Sequence, residues 1–213
     1  MPPKPKFTRQ EIAAAALDMI KTGGVEALTA RNLGSKLGSS ARPIFTVFKN
    51  MEEVKQAARD LALREFEDSS KDFTEYTPAF KQVGMQMVSY AVHKPELYKL
   101  LFMQEYPERQ TFAQLMGKLG GIAEDCVEVI QRDYAMTEEE ARLLFEQVWV
   151  QTFGLGALCA MKVCDFTEEE IAEKLGQVFA AAVLLIKSGK AGQCSGQPVR
   201  ETEKEEAHES SHH

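Results

Sequence analysis

The amino-acid sequence predicts an all-α fold, and three observations support this prediction. Apolar residues recur at spacings of three and four along most of the chain, which is the spacing of one helix face. The T-x-x-E pattern that caps helix starts occurs at Thr8, Thr137 and Thr167. Glycines and prolines separate the periodic stretches, where helix ends are expected.

Length and composition limit the number of domains and the class of protein. The chain has 213 residues, of which 44% are hydrophobic, enough for one large or two modest domains with a real core. No uninterrupted apolar run approaches the roughly 20 residues that a membrane span needs. The first residues, MPPKPKF, lack the apolar stretch of a signal peptide. We therefore expect a cytoplasmic protein without a membrane partner.

The first predicted helix begins after Thr8, whose pairing with Glu11 makes a capping box. Ile12, Ala16 and Ile20 follow at four-residue spacing and share one face. The glycine pair at positions 23 and 24 ends this helix. We expect it to support its neighbours rather than to carry chemistry.

A second short helix is predicted to begin at Thr29, whose hydroxyl can accept a hydrogen bond from a free backbone N–H. Leu33 and Leu37 stand four residues apart and share a face. Gly38 then follows, as a helix-ending glycine should. About three residues separate this helix from the next apolar pair, which suits the tight turn of a helix-turn-helix unit.

The third predicted helix covers Ala41 to about Phe48, with Ser40 as its cap. Pro43 is compatible with this prediction because the first turn of a helix has no intrahelical partner for the missing N–H. Ile44 and Phe48 can pack inward. The outer side would then present Arg42, a residue that can bond guanine with two donors. The alternative is a small helical hairpin with solvated basic residues.

These segments together resemble the N-terminal domain of TetR-family (tetracycline-repressor-type) regulators. The resemblance covers Phe7 to about Ala58, roughly the first quarter of the chain. It departs from the family pattern at Phe45, where a Tyr is usual, at Met51, where a Lys is usual, and at Ser39, which is usually apolar. The resemblance implies that the DNA-contacting residues are Thr29, Arg31, Ser40, Ala41, Arg42, Pro43, Phe45, Thr46 and Lys49.

The charge distribution agrees with this interpretation. The whole chain has a net charge of −7, but residues 1–50 contain eight basic and three acidic side chains and carry +5, against −12 for the remainder. A basic end on an acidic body is the pattern expected when one domain docks on phosphates. We therefore predict residues 1–50 as a three-helix DNA-binding domain.

Residues 51–188 are predicted to form a helical ligand-binding and dimerisation domain, and residues 189–213 a disordered acidic tail. Gly117 and the glycines at positions 120 and 121 are predicted weak points in the fourth of the body helices, Glu108–Tyr134. The predicted body helices run over about Glu52–Ser69, Pro78–Val92, Pro95–Gln104 and Glu108–Tyr134, followed by two long helices that begin after Thr137 and Thr167.

The last two helices are apolar over more than one stripe, so each needs two packing partners. The resemblance implies a homodimer in which these helices form a four-helix bundle. A single deep monomeric core is the alternative. The residues predicted at the dimer interface are Leu155, Leu158, Val178, Ala182 and Leu185.

The resemblance also implies a ligand cavity in the body. Methionine and aromatic side chains make adaptable apolar walls, although such residues at helical spacing are more often plain core. Since no charged cluster suits a metal or a phosphate, we expect an unknown small, largely apolar ligand. The predicted lining is Met85, Tyr90, Phe102, Met103, Phe112, Met116, Trp149 and Phe153.

Enzyme chemistry finds no support in the motifs. There is no G-x-S-x-G and no phosphate-cradling glycine loop, and His208 lies in the predicted tail. The four cysteines form no C-x-x-C pair, so we expect mainly buried reduced thiols, with a redox sensor as the alternative. We expect no catalytic residue, no metal and no cofactor.

The sequence thus predicts a homodimeric repressor that reads a palindromic site in double-stranded DNA and is released by its ligand. The alternatives are a ligand-dependent activator, a corepressor-type regulator, or a helical protein-interaction module without DNA binding.

Overall fold

A computed structural model of the protein describes residues 5–70, 79–106, 108–118 and 120–189. These ranges contain nine α-helices and no strand, which confirms the all-α prediction. Two short 3-10 helices, Val25–Ala27 and Ile44–Thr46, lie among them. The α-helices are α1 (Arg9–Gly23), α2 (Ala30–Lys36), α3 (Met51–Ser70), α4 (Ala79–His93), α5 (Pro95–Phe102), α6 (Phe112–Gly117), α7 (Ile122–Tyr134), α8 (Glu138–Ala160) and α9 (Glu168–Lys187).

The three predicted capping boxes are all present. Each threonine accepts a hydrogen bond from the N–H three residues on, and each glutamate side chain accepts one from the threonine N–H. A fourth box, formed by Thr111 and Gln114 at the start of α6, follows the same geometry with glutamine as the reciprocal acceptor. Local side-chain chemistry therefore fixes four helix starts.

The single helix predicted over Glu108–Tyr134 is wrong, since α6 and α7 are separate helices. The chain breaks between them at the predicted glycines, and Gly120 has a left-handed φ of 73° that a helix cannot continue through. A Cβ at Gly120 would also collide with the Glu67 side chain. The other body helices agree with prediction to within two residues, while Pro78 and the tail beyond Gly189 lie outside the described residues.

The largest buried cluster does not end at residue 50. It begins with Ile12 and Ile20 on α1, passes through Val54 and Ala58 on α3, and reaches Tyr98 on α5. The N-terminal helices and the body therefore share α3 as a common wall. A second cluster joins α7 and α8, with buried residues including Cys126, Val127, Ile130 and Leu144.

Helix α8 is long and apolar enough to cross a membrane, judged by length and composition alone. The same test is passed by core helices of soluble proteins, and 39% of the relevant stretch of α8 is buried inside the described protein.

Candidate functional site

Helix α2 is held at both ends by the local chemistry that the sequence indicates. The Thr29 hydroxyl accepts from the Asn32 N–H at 3.2 Å, which confirms Thr29 as the N-cap. Gly38 has a φ of 64°, and its N–H donates to the Ser35 carbonyl at 3.0 Å. The Ser39 N–H donates to the Gly34 carbonyl at 2.8 Å. This pair of bonds is a Schellman motif, and it turns the chain sharply after α2.

The segment after this turn lies against the backbone of α2. A Cβ built on Gly34 would come within 2.8 Å of the Ser40 carbonyl carbon and 2.9 Å of the Ala41 nitrogen. Only glycine allows such an approach. Gly34 therefore fixes the distance between α2 and the segment that carries Arg42.

The predicted helix Ala41–Phe48 is wrong: the described helical content there is a single 3-10 helix over Ile44–Thr46. One α-type bond, from the Phe48 N–H to the Ile44 carbonyl at 3.0 Å, follows it. Ile44 and Phe48 are buried as predicted. Two of the three residues between them, Thr46 and Val47, are β-branched and disfavour a regular helix. The Thr46 hydroxyl also donates to the Pro43 carbonyl at 2.6 Å, which competes with helical bonding.

The residues predicted to contact DNA are mostly at the surface. Phe45 is 45% exposed although it is aromatic, and it is flanked by the exposed Thr46. Ala41 and Pro43 are half-buried. The exposed members of the predicted set are Thr29, Arg31, Ser40, Arg42, Phe45, Thr46 and Lys49.

The basic side chains of this region fall into two groups. Lys36 pairs with Asp18, and Lys49 lies 3.9 Å from Glu53. In contrast, Arg31 and Arg42 are exposed, and no carboxylate of the described residues lies within ion-pair distance of either. These two guanidinium groups therefore keep their donors available for a partner.

The eight residues of the predicted ligand pocket do not surround one cavity. Phe102, Met116 and Trp149 line a narrow apolar cavity of only about 30 Å³. Phe112 and Phe153 pack on the Trp149 ring, at centroid distances of 5.5 and 5.3 Å. The aromatic side chains thus fill the space that an apolar ligand would need.

The other three predicted pocket residues lie elsewhere. Met85 lines an open groove of about 710 Å³ together with His93. Met103 is half-buried against the main core. Tyr90 is buried with its ring edge-on to Phe66, and its hydroxyl has no hydrogen-bond partner among the described residues. Burial, followed by the charge of Glu65, raises the pKa of Tyr90.

The residues predicted at the dimer interface differ in their burial. Leu155 is buried in the chain's own core with Ile171 and Leu175, so it offers no free face. Leu158 and Leu185 are exposed, whereas Val178 and Ala182 are half-buried. Sequence reasoning missed the more exposed apolar residues of the same two helices and the loop after α8, which are Val150, Met161, Val163 and Leu184.

Cys126, Cys159 and Cys164 are free thiols, and Cys194 lies outside the described residues. Burial raises the pKa of Cys126 to about 12, and burial followed by nearby negative charge raises that of Cys159. High pKa values leave these thiols protonated and weakly nucleophilic. Within the described ranges, no cluster of three His, Cys, Asp or Glu side chains could hold a metal ion.

Arg59 is a buried charged residue that the sequence did not single out. It lies on α3 beside the apolar Ala58 and is 5% exposed. No local pattern marks it, because the residues that cover it come from α5 and the loop that follows, about forty positions later.

No protein-family model matches the chain, and no curated protein is significantly similar to it. Support for a function therefore comes from the residues themselves.

Proposed function

We propose that the protein is a cytoplasmic, sequence-specific DNA-binding regulator of the TetR type, acting as a homodimeric repressor. The observation that carries the proposal is the pair of exposed, unpaired arginines, Arg31 and Arg42, on the closely packed unit formed by α2 and the following turn. Exposed arginines without a carboxylate contribute little to folding stability. Their free hydrogen-bond donors suit recognition of a partner rich in acceptors.

Double-stranded DNA is the partner that best fits these groups. Arginine bonds the O6 and N7 acceptors of guanine with two donors, and it also binds phosphates. Residues 1–50 carry a net charge of +5 on a chain of −7, which directs the basic end toward a polyanion. Lys49 is a third exposed cation in the same segment.

A second copy of the chain would cover the apolar surface of α8 and α9. Val150 and Leu184 are 55% and 72% exposed, and Leu158 and Leu185 are exposed on the same two helices. Exposed aliphatic side chains of this kind favour a protein contact over solvent. A two-fold dimer would present two DNA-binding ends, which favours a palindromic site.

Selection of bound sequences from random double-stranded DNA tests the proposal. We expect a palindrome whose half-sites are about one helical turn apart. Arg42→Ala and Arg31→Ala should each weaken binding to the selected site by roughly 1–3 kcal/mol. Arg109→Ala is the matched control, because Arg109 is an exposed arginine of the body.

Two results would contradict the proposal. One is the absence of any sequence enriched over non-specific binding. The other is an equal loss of affinity in the Arg109 control and the Arg42 variant, which would indicate general charge attraction rather than recognition. Sedimentation of the free protein measures the dimer separately, with Leu184→Glu expected to shift it toward the monomer.

A further inference from the structure

The guanidinium group of Arg59 is buried without a counter-charge. Its Nη2 donates to the Leu101 carbonyl at 3.3 Å. The Gln104 amide oxygen, turned toward the guanidinium, accepts from Nε at 2.6 Å and from Nη2 at 3.1 Å. Both partners are neutral, and no carboxylate of the described residues lies within 4.0 Å. Buried charges are normally paired, so this arrangement is incomplete as it stands.

Arg59 lies at the edge of a groove of about 510 Å³ between α3 and the loop that follows α5. Its Nη1 makes no hydrogen bond to the described residues. Two further cations are near: Lys118 lies over the Tyr106 ring at 4.1 Å, and Lys55 lies one helical turn before Arg59. The groove is lined by Glu52, Lys55, Gln56, Arg59, Asp60, Leu63, Gln104, Glu105, Tyr106 and Lys118.

Leu63 lines both the groove beside Arg59 and the narrow apolar cavity. The walls of that cavity include Phe66, Phe102 and Trp149. It stands four residues after Arg59 on α3, so the two side chains lie on the same face of the helix. A cation without a counter-charge and an apolar side chain are thus one helical turn apart on the wall of the groove.

We propose that this groove binds a small monocarboxylic acid, with its carboxylate on Arg59 and its short apolar chain against Leu63. The inference refines the ligand class of the proposed regulator, and it rests on that function only for the effect of binding on DNA affinity. It adds a charged head group to the predicted small, largely apolar ligand and places that ligand in the groove, because the narrow apolar cavity alone is too small to hold it.

The charges around the groove favour one carboxylate over a phosphate. Glu52, Asp60 and Glu105 also line the groove, so a doubly charged anion would meet three acidic side chains. Asp60 accepts a hydrogen bond from the Gln56 amide at 2.7 Å and is held on the helix surface. A planar carboxylate matches the donor geometry of a guanidinium, and an apolar tail gains from Leu63.

Direct binding to the full chain tests the inference without DNA. Acetate, butyrate and hexanoate would be titrated by calorimetry, with hexanol and inorganic phosphate as comparisons. We expect hexanoate to bind more tightly than acetate, by about threefold to fourfold per added methylene until the apolar surface of Leu63 is covered. Hexanol should bind at least tenfold more weakly than hexanoate, since removing charge-assisted hydrogen bonds costs roughly tenfold to hundredfold. Phosphate should also bind more weakly than hexanoate, because it has no apolar chain to place against Leu63 and would meet Glu52, Asp60 and Glu105.

Variants locate the site. Arg59→Gln should weaken hexanoate binding by roughly tenfold to hundredfold, whereas Arg64→Gln, an exposed arginine on the same helix, should leave it unchanged. If Arg59→Gln does not fold, Leu63→Trp keeps Arg59 and should abolish the dependence on chain length by filling the space beside Leu63 that the apolar chain would occupy. Leu63→Ala should extend that dependence to octanoate.

Three results would overturn the inference: equal affinity for hexanol and hexanoate, an unchanged affinity in both the Arg59 and the Leu63 variants, or no binding of any carboxylate. Each leaves the DNA-binding proposal standing, because operator binding is measured on the free protein. If carboxylates bind but no DNA site is enriched, the ligand site holds and the proposed function fails.

Discussion

Replacing Gly34 by alanine is expected to destabilise the N-terminal part of the protein although alanine is the better helix former. The new Cβ would lie 2.8 Å from the Ser40 carbonyl carbon, 2.9 Å from the Ala41 nitrogen and 3.0 Å from the Ser40 oxygen. All three are backbone atoms, so no side chain can rotate to make room. The turn must move away from α2 as a whole.

Two opposing effects set the magnitude. Overpacking of a close contact costs about 1–3 kcal/mol, while the gain in helix propensity from glycine to alanine is about 1 kcal/mol. Because three backbone contacts are violated together, the cost lies in the upper part of its range. We expect a net loss of about 1–2 kcal/mol in the free energy of unfolding.

Urea unfolding followed by circular dichroism measures this loss. Gly117→Ala is the matched control, since a Cβ at the end of α6 meets no atom within 4 Å. It should be neutral or stabilising by less than about 1 kcal/mol. A Gly34→Ala protein as stable as the Gly117→Ala protein, with an unchanged denaturant slope, would refute the close packing of α2 against the turn.

Three further results are expected. Cys126, whose pKa burial raises to about 12, should resist iodoacetamide in the native protein near neutral pH and react only after unfolding. Hydrogen bonds from the Thr8 N–H and hydroxyl lower the pKa of Glu11 from its ordinary value of 4.5. The ionised Glu11 side chain therefore stabilises the fold fully above pH 4.5, and this stabilisation is lost as the pH falls through the pKa of Glu11 in the folded protein. The melting temperature of Glu11→Gln should thus fall less steeply on acidification than that of the native protein. Tyr98→Phe removes the bond from the buried hydroxyl to the Phe153 carbonyl at 2.9 Å and should cost about 1 kcal/mol in urea unfolding.

Helix starts could be predicted from sequence because their causes are local. Thr8 and Glu11 satisfy one another's backbone within four residues, and the same holds at Thr137 and Thr167. Neighbouring elements are not needed to decide such a start. Gly38 was likewise predictable, since the turn that ends α2 requires a left-handed residue at that position.

The segment after Gly38 was predicted incorrectly because burial spacing does not specify helix type. Ile44 and Phe48 are buried four residues apart, as they would be on an α-helix. A 3-10 helix followed by one wider turn places the same two side chains inward. The choice between them depends on contacts with α2, which involve Gly34 and which sequence spacing does not reveal.

The predicted ligand cavity shows a similar limit of prediction from sequence. Trp149, Phe153 and Phe112 have the composition of a ligand pocket, yet their rings pack against one another at 5.3 and 5.5 Å. Composition does not state whether aromatic rings surround a space or fill it. Arg59 was missed for the opposite reason, because a charged residue on a helix is expected to face water and the covering residues lie far along the chain.

Helix α3 runs from the core beneath the proposed DNA-binding end to the groove of the proposed ligand site. If the two sites are coupled, their binding affinities must change reciprocally. Val54 and Ala58 on α3 are buried in the cluster that includes α1, while Arg59 and Leu63 on the same helix line the groove. Helix α3 is continuous from Met51 to Ser70, so it offers a direct physical route between the two sites. If a carboxylate changes operator affinity by some factor, the operator must change carboxylate affinity by the same factor, whatever the sign. The sign then decides between a repressor that is released by its ligand, for which both affinities fall, and a corepressor-type regulator, for which both rise.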